Sequence, residues 1–199
     1  MKHISLITLT LLLLVLNCNA QTEKGKFYLG ANSDINAFYQ DYSSKRYNST
    51  TYGLNLNPEV GYFVSDNLVV GAKINLAYNK IKYSGNFSEE IDNSFYGIGL
   101  FTKHYLSTKA LKPFVKAGIG YMYNNYTEVL PNKATTNQSS NTIYGDLDLG
   151  LAYYISKNIS LDFSIGYRYN SFNSSKTISL DPSRKVHQLK TAVGFSISF

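Results

Sequence analysis

Few side chains in this sequence of 199 residues could carry chemistry. Past a leader they are two histidines, His104 and His187, and two aspartates two positions apart, Asp146 and Asp148; the single cysteine, Cys18, lies in the leader. A histidine acts as a general base only within hydrogen-bond reach of the group it deprotonates. Neither His104 nor His187 sits in a His-x-Ser pattern, and both read as interfacial side chains. Asp146 and Asp148 could be paired carboxylates or part of a calcium site. With Arg168 on the next segment and Lys190 one further on, a structural ion-pair network is the stronger reading. These residues supply no catalytic, cofactor-binding or metal-ligating set, so the expectation is a protein that is not an enzyme and takes no cofactor.

The elements that must position these residues are strands. From Leu189 the chain alternates to its last residue, with Leu189, Thr191, Val193, Phe195, Ile197 and Phe199 on one face and Lys190, Ala192, Gly194, Ser196 and Ser198 on the other. Period-two alternation makes a strand with two chemically different sides. Eight such segments are expected: 25–39, 51–64, 68–82, 94–105, 112–126, 142–155, 159–172 and 185–199. Short turns (65–67, 106–111, 156–158) alternate with long polar connections (41–50, 83–93, 127–141, 173–184). Faces sort cleanly by parity. Ile143, Leu147, Leu149 and Leu151 oppose Tyr144, Asp146, Asp148 and Gly150, while Leu161, Phe163 and Ile165 oppose Asp162, Ser164 and Gly166. A slip of one residue would exchange the faces, so register is strongly specified.

Lys2 and His3 precede an apolar or Thr/Ser stretch over residues 4–16 and then Asn17, Cys18, Asn19 and Ala20, the pattern of a signal peptide cut after Ala20. This divides the chain into a leader, 1–20, and one domain, 21–199. Removal of the leader would also remove the only thiol. The net charge of +6 is scattered without an aromatic-interleaved stripe, which argues against a nucleic-acid partner. Tyrosine is abundant at 18 and tryptophan absent.

Three features place the apolar face outside and the polar face inside. The apolar set is too bulky for the interior of an eight-stranded barrel, whereas glycine recurs in the polar set. The polar faces carry balanced charges, Asp34, Glu59, Asp146, Asp148 and Asp162 against Lys73, Lys103, Lys116, Arg168 and Lys190, as enclosed ions must. Tyrosines on the apolar face (52, 62, 78, 96, 121, 123, 153, 167 and 169) gather near segment ends, where rings with a polar tip meet a membrane interface. The expected fold is all-β: an eight-stranded antiparallel up-and-down transmembrane β-barrel, in a bacterial outer membrane, with both termini on the periplasmic side and a lumen too packed for a sizeable pore. A soluble ligand carrier with the faces reversed is the rival arrangement.

The stretch from Asn57 to Gly71, Phe101 with Lys103-His104-Tyr105, Lys112-Pro113-Phe114 and the terminal Phe199 resemble the small outer-membrane β-barrel proteins of the OmpA/OmpX type, particularly those of Bacteroidetes. The resemblance covers the whole mature chain. Lys103 stands where many relatives are expected to carry Arg. The resemblance implies that Phe199, Ile197 and Phe195 form the signal read by the outer-membrane assembly machinery, and it implies a structural or surface-interaction role, by adhesion or evasion of host defence, through the outer loops. Narrow porin-like transport is a second role. Modification of lipid A is a third, but similar barrels that do so bring His, Ser and a carboxylate together, whereas up-and-down order sends His104 and His187 to opposite ends. Lys80, Lys82 and Lys185 at the outer rim are candidates to meet lipopolysaccharide phosphates. A monomer is expected.

Overall fold

The computed structural model describes residues 22–34, 40–43, 47–85, 89–129, 135–174 and 183–199. Nine strands follow in chain order: β1 (Phe27–Asp34), β2 (Gln40–Ser43), β3 (Tyr47–Ser65), β4 (Leu68–Gly85), β5 (Glu89–Tyr105), β6 (Leu111–Val129), β7 (Thr135–Tyr154), β8 (Ile159–Ser174) and β9 (Ser183–Ser198). Each pairs antiparallel with its neighbours, and β1 closes the ring by pairing with both β3 and β9, Gly30 facing Glu59 on one side and Ser196 on the other. β2 lies beside β3 above β1, Gln40 facing Thr51. β1 and β2 therefore share one place in the wall, and the molecule is a closed barrel of eight strands. Closure leaves no sheet edge to be satisfied in lipid.

The side-chain parity follows the sequence. Leu54, Ile98, Leu100, Ile119, Leu147, Leu149, Phe163 and Ile165 are exposed on the outside, while Asn57, Glu59, Lys73, Asn75, Lys103, Lys116, Asp146, Asp148 and Arg168 are buried within. On β6 the outward apolar run from Leu111 to Tyr123 covers about 40 Å of strand at about 3.3 Å per residue. At a tilt near 40° that is about 30 Å along the membrane normal, the height of an apolar band with its aromatic girdles. Seven of the nine tyrosines expected in the girdle are exposed on this outer face; Tyr153 and Tyr169 are half-buried.

The boundaries correct the sequence expectation in one respect. Much of what reads as long polar connection is strand: β3 starts at Tyr47, β4 runs to Gly85, and β6 and β7 stay paired as far as Val129 opposite Thr135. Above the apolar band both faces of a ribbon meet water, so pairing continues after the apolar alternation stops. Residues 35–39 of the first expected segment lie outside the described residues, as does the proposed leader. At the other end the turns are tight. Asn67 takes a left-handed φ of 64°, which Asn tolerates better than most residues, and its N–H donates to the Thr22 carbonyl. The start of β1 and the last residue meet on this side, where the Phe27 N–H donates to the Phe199 carbonyl and the Phe199 N–H to the Phe27 carbonyl.

Candidate functional site: the lumen and its two ends

Three storeys fill the lumen. The lowest, at the end holding the termini, is aromatic: Tyr28, Phe63, Phe101, Tyr105, Phe114 and Tyr154 form one buried cluster with Val69 and Ala152. Ring centroids lie 5.8 Å apart for Tyr28 and Phe101, 6.1 Å for Tyr105 and Phe114, and 6.3 Å for Tyr105 with both Phe63 and Tyr154. Such spacing is ordinary for edge and offset packing. Below it Lys112, fully buried, donates to the Thr22 hydroxyl. Lys103 bridges upward, its ammonium 4.2 Å from the Phe114 ring centre and 2.6 Å from Asp162 Oδ2.

The middle storey is ionic. Lys73 Nζ lies 2.8 Å from Asp146 Oδ2, Arg168 donates to the same oxygen at 3.1 Å, and a second Arg168 nitrogen is 3.9 Å from Asp34. Lys190 meets Asp148 at 2.9 Å, and Lys116 bonds Glu59. All ten charges expected to balance inside the barrel thus have an opposite partner. Strand register explains part of this, since Asp146 faces Arg168 directly across β7 and β8. The rest reaches across the lumen, as Lys73 on β4 does to Asp146 on β7. A buried charge left alone would cost several kcal/mol, so the network reads as mutual compensation.

Tyr144 ties the ionic storey to the wall. Its side chain crosses from β7 towards β5 and β6, where Gly99 and Gly120 face one another, and a Cβ on either glycine would collide with the phenol oxygen. Asn75 donates to that oxygen at 2.7 Å, and the Lys73 and Arg168 cations lie 5.2 Å and 5.0 Å from its ring centre. Parity marks Tyr144 as a lumen residue. Its seat follows from register: Gly120 lies directly opposite it on β6, and Gly99 opposite Gly120 on β5.

The third storey, nearer the outer hairpins, is less full. A cavity of about 200 Å³ is lined by Asp34, Asn55, Asn57, Asn75, Phe95, Met122, Arg168, Asn170 and Phe172 among others. Lower down, an opening of about 20 Å³ between Tyr28, Lys116, Asp148 and Ser164 is room for about one water.

The sequence candidates for catalysis stay apart. His104 is exposed at the turn end of β5 opposite Val115, and His187 is exposed near the outer end of β9, where Tyr167 hydrogen-bonds its Nδ1 and Tyr169 packs on its ring. Asp146 and Asp148 are engaged by lysine and arginine rather than held open for a cation. Among the described residues no group of three His, Cys, Asp or Glu side chains could hold a metal ion. At the outer rim Lys82 and Lys185 are exposed, but Lys80 departs from expectation: it pairs with Glu90 and lies 3.7 Å from Asp92 on β5. Its charge is compensated within the protein.

With the barrel, its lumen and its girdle in hand, the likeness to known proteins is specific. The model of the outer membrane protein beta-barrel domain matches residues 6–199. The chain belongs to that family. It is accordingly a protein of the bacterial outer membrane. Among solved structures it is similar to the outer membrane protein OprG from Pseudomonas aeruginosa, at 16% identity and a TM-score of 0.51, over 92% of this chain and 99% of that one. It is also similar to Ail, the attachment invasion locus protein of Yersinia pestis (14%, TM-score 0.47, 88% and 99%), and to the outer membrane enzyme PagL (14%, 0.40, 85% and 98%). At these identities the likeness is one of fold. No curated protein compared with the chain matches it.

Proposed function

We propose that this family member is a non-enzymatic surface protein whose outer hairpins make contact with what lies outside the cell, as in adhesion or evasion of host defence. The observation that carries this reading is the height of the hairpins. Beyond Tyr123, β6 and β7 remain paired from Asn124 opposite Ser140 to Val129 opposite Thr135, about 20 Å more of strand that no lipid requires. Its residues are mostly Asn, Ser, Thr and Gln, suited to hydrogen bonding, with Tyr126, Glu128 and Val129 among them. A ribbon whose two strands stay paired with each other carries these side chains well above the band that faces lipid. The aromatic storey beneath the lumen supports contact over conduction.

The exposed Lys82 and Lys185 would face lipopolysaccharide phosphates, and the strand ending at Phe199 would be the segment read by the assembly machinery. The barrel would act as a monomer. The test is transplantation: residues 124–140 exchanged for a two-residue turn in a barrel displayed on a non-adherent Gram-negative host. Adhesion to immobilised host matrix or protection from serum should appear with the full chain and vanish with the shortened hairpin. Equal behaviour of the two proteins refutes the reading. Steady single-channel conductance in planar bilayers would replace it with transport.

A further inference from the structure

We propose that the outer-storey cavity is a binding site for one neutral sugar ring. The argument begins with its hydrogen-bonding groups. Among the described residues, four buried side-chain oxygens on its lining, those of Asn57, Asn75 and Asn170 (Oδ1 in each) and Asp34 Oδ1, have no partner within the protein, against one unpartnered donor, Arg168 Nε. Each of the five residues is more than nine-tenths buried. Unsatisfied buried acceptors are costly, commonly about 1–3 kcal/mol each, so a site with four of them calls for an occupant.

The direction of these amides is set by two carboxylates. A carboxylate can only accept. Asp34 Oδ2 therefore accepts a hydrogen bond from Asn55 Nδ2 at 2.9 Å, which turns Asn55 Oδ1 to accept from Asn57 Nδ2 at 3.1 Å. Glu59 fixes Asn32 in the same way at 2.7 Å, and Asn32 Oδ1 also accepts from Asn57 Nδ2 at 3.1 Å. With its amide nitrogen claimed twice, Asn57 must present its oxygen. Asn75 does likewise, its nitrogen spent on Tyr144.

An acceptor-rich site selects donors, and two classes offer several donors in a small volume: ammonium ions and polyols. The floor decides between them. Asp34 and Asp146 are already matched there by Lys73 and Arg168, so an added cation would be buried without a counter-charge, whereas a neutral molecule would not. The rest of the lining mixes the apolar Ala77, Phe95, Met122, Phe172 and Val186 with two further amides, Asn79 and Gln188. A molecule with hydroxyls on its edge and C–H groups on its face meets both surfaces, and pockets of this mixed kind are the usual small-molecule sites. The volume of about 200 Å³ limits the occupant to a single ring, or otherwise to about six waters.

The test uses the whole barrel in phospholipid nanodiscs, because alkyl-glycoside detergents carry a head group of the proposed class. Methyl glycosides of glucose, galactose, mannose and N-acetylglucosamine are titrated while the side-chain amide signals of Asn57, Asn75 and Asn170 are followed by NMR, with methylamine and inorganic phosphate alongside. At least one glycoside should shift all three amides saturably with a Kd in the millimolar range or tighter. Ala77→Phe, which fills the cavity from β4, and Asn170→Leu, which removes one acceptor at unchanged cavity shape, should each weaken binding at least tenfold. A linear trisaccharide ending in the same sugar separates the sources: if it binds, the occupant is the tip of a glycan, and if only the methyl glycoside binds, a free monosaccharide. Failure of every glycoside to move these amides leaves a pocket of water and overturns the proposal. So does tighter binding of methylamine, or an unchanged Kd in a folded Ala77→Phe or Asn170→Leu protein.

Discussion

Asp146 is the most exacting test of the ionic storey. Among the described residues it is the one carboxylate with two close cations, Lys73 at 2.8 Å and Arg168 at 3.1 Å, and its side chain is fully buried. Replacing it by Asn leaves both cations in a water-poor interior, with Arg168 keeping only the 3.9 Å contact to Asp34. Breaking a buried pair by removing one partner costs about 3–5 kcal/mol, and with two cations stranded Asp146→Asn should fall in or above that range. Lys73→Met removes one cation and leaves Asp146 bonded to Arg168, so its cost should be clearly smaller, about 1–3 kcal/mol for one lost charge-assisted bond. The double variant should cost less than the two singles together, because Met at position 73 removes one of the charges that the first change exposes. Urea unfolding of the lipid-reconstituted barrel, followed by circular dichroism and by heat-dependent gel mobility, measures all three. Costs below about 1 kcal/mol for Asp146→Asn, or equal costs for the two singles, would mean that the charges are solvated and the lumen is not the dry, compensated interior described above.

Leu149→Arg, in the middle of the outward run on β7, should cost about 2–4 kcal/mol, while Ser164→Asn beside the 20 Å³ opening should stay within about 1 kcal/mol; equal tolerance would reverse the assignment of faces. Gly120→Val should cost about 1–3 kcal/mol by displacing Tyr144, and a Tyr144→Ala, Gly120→Val double variant should recover part of that loss, as the same unfolding assay would reveal. Deleting Phe199 removes the reciprocal backbone bonds with Phe27 and a ring stacked 6.0 Å from it, and should lower the yield of assembled barrel in cells more than it lowers refolding in vitro; equal losses would argue against a recognition role for the terminal strand.

The wall and the contents of the barrel were legible to different degrees. Parity alone separates Leu147, Leu149 and Phe163 from Asp146, Asp148 and Asp162, because each strand of a closed barrel has one face in lipid and one in the lumen. Charge balance also identifies ten enclosed ions that prove to be paired, but it misses Lys112, which is buried below them and donates to the Thr22 hydroxyl. Their pairing is another matter: Lys73 meets Asp146 from a strand three places away, and Lys103 meets Asp162 the same way, contacts fixed by strand tilt and stagger rather than by sequence spacing. The outer hairpins were under-read for the opposite reason. Ser, Asn and Thr dominate from 47 to 51 and from 135 to 142 and show no apolar period, yet the backbones there pair as regularly as those below. The cavity escapes sequence reasoning altogether. Its lining brings Asn55, Asn57 and Asn75 together with Arg168 and Asn170 from the far side of the barrel, and that geometry belongs to the assembled ring.

Six rings pack across the end of the tube that holds Phe27 and Phe199. On the surface role proposed above, that stopper would make the barrel a cup rather than a straw: a molecule entering from outside would have to back out, and its occupancy would follow the surrounding medium alone.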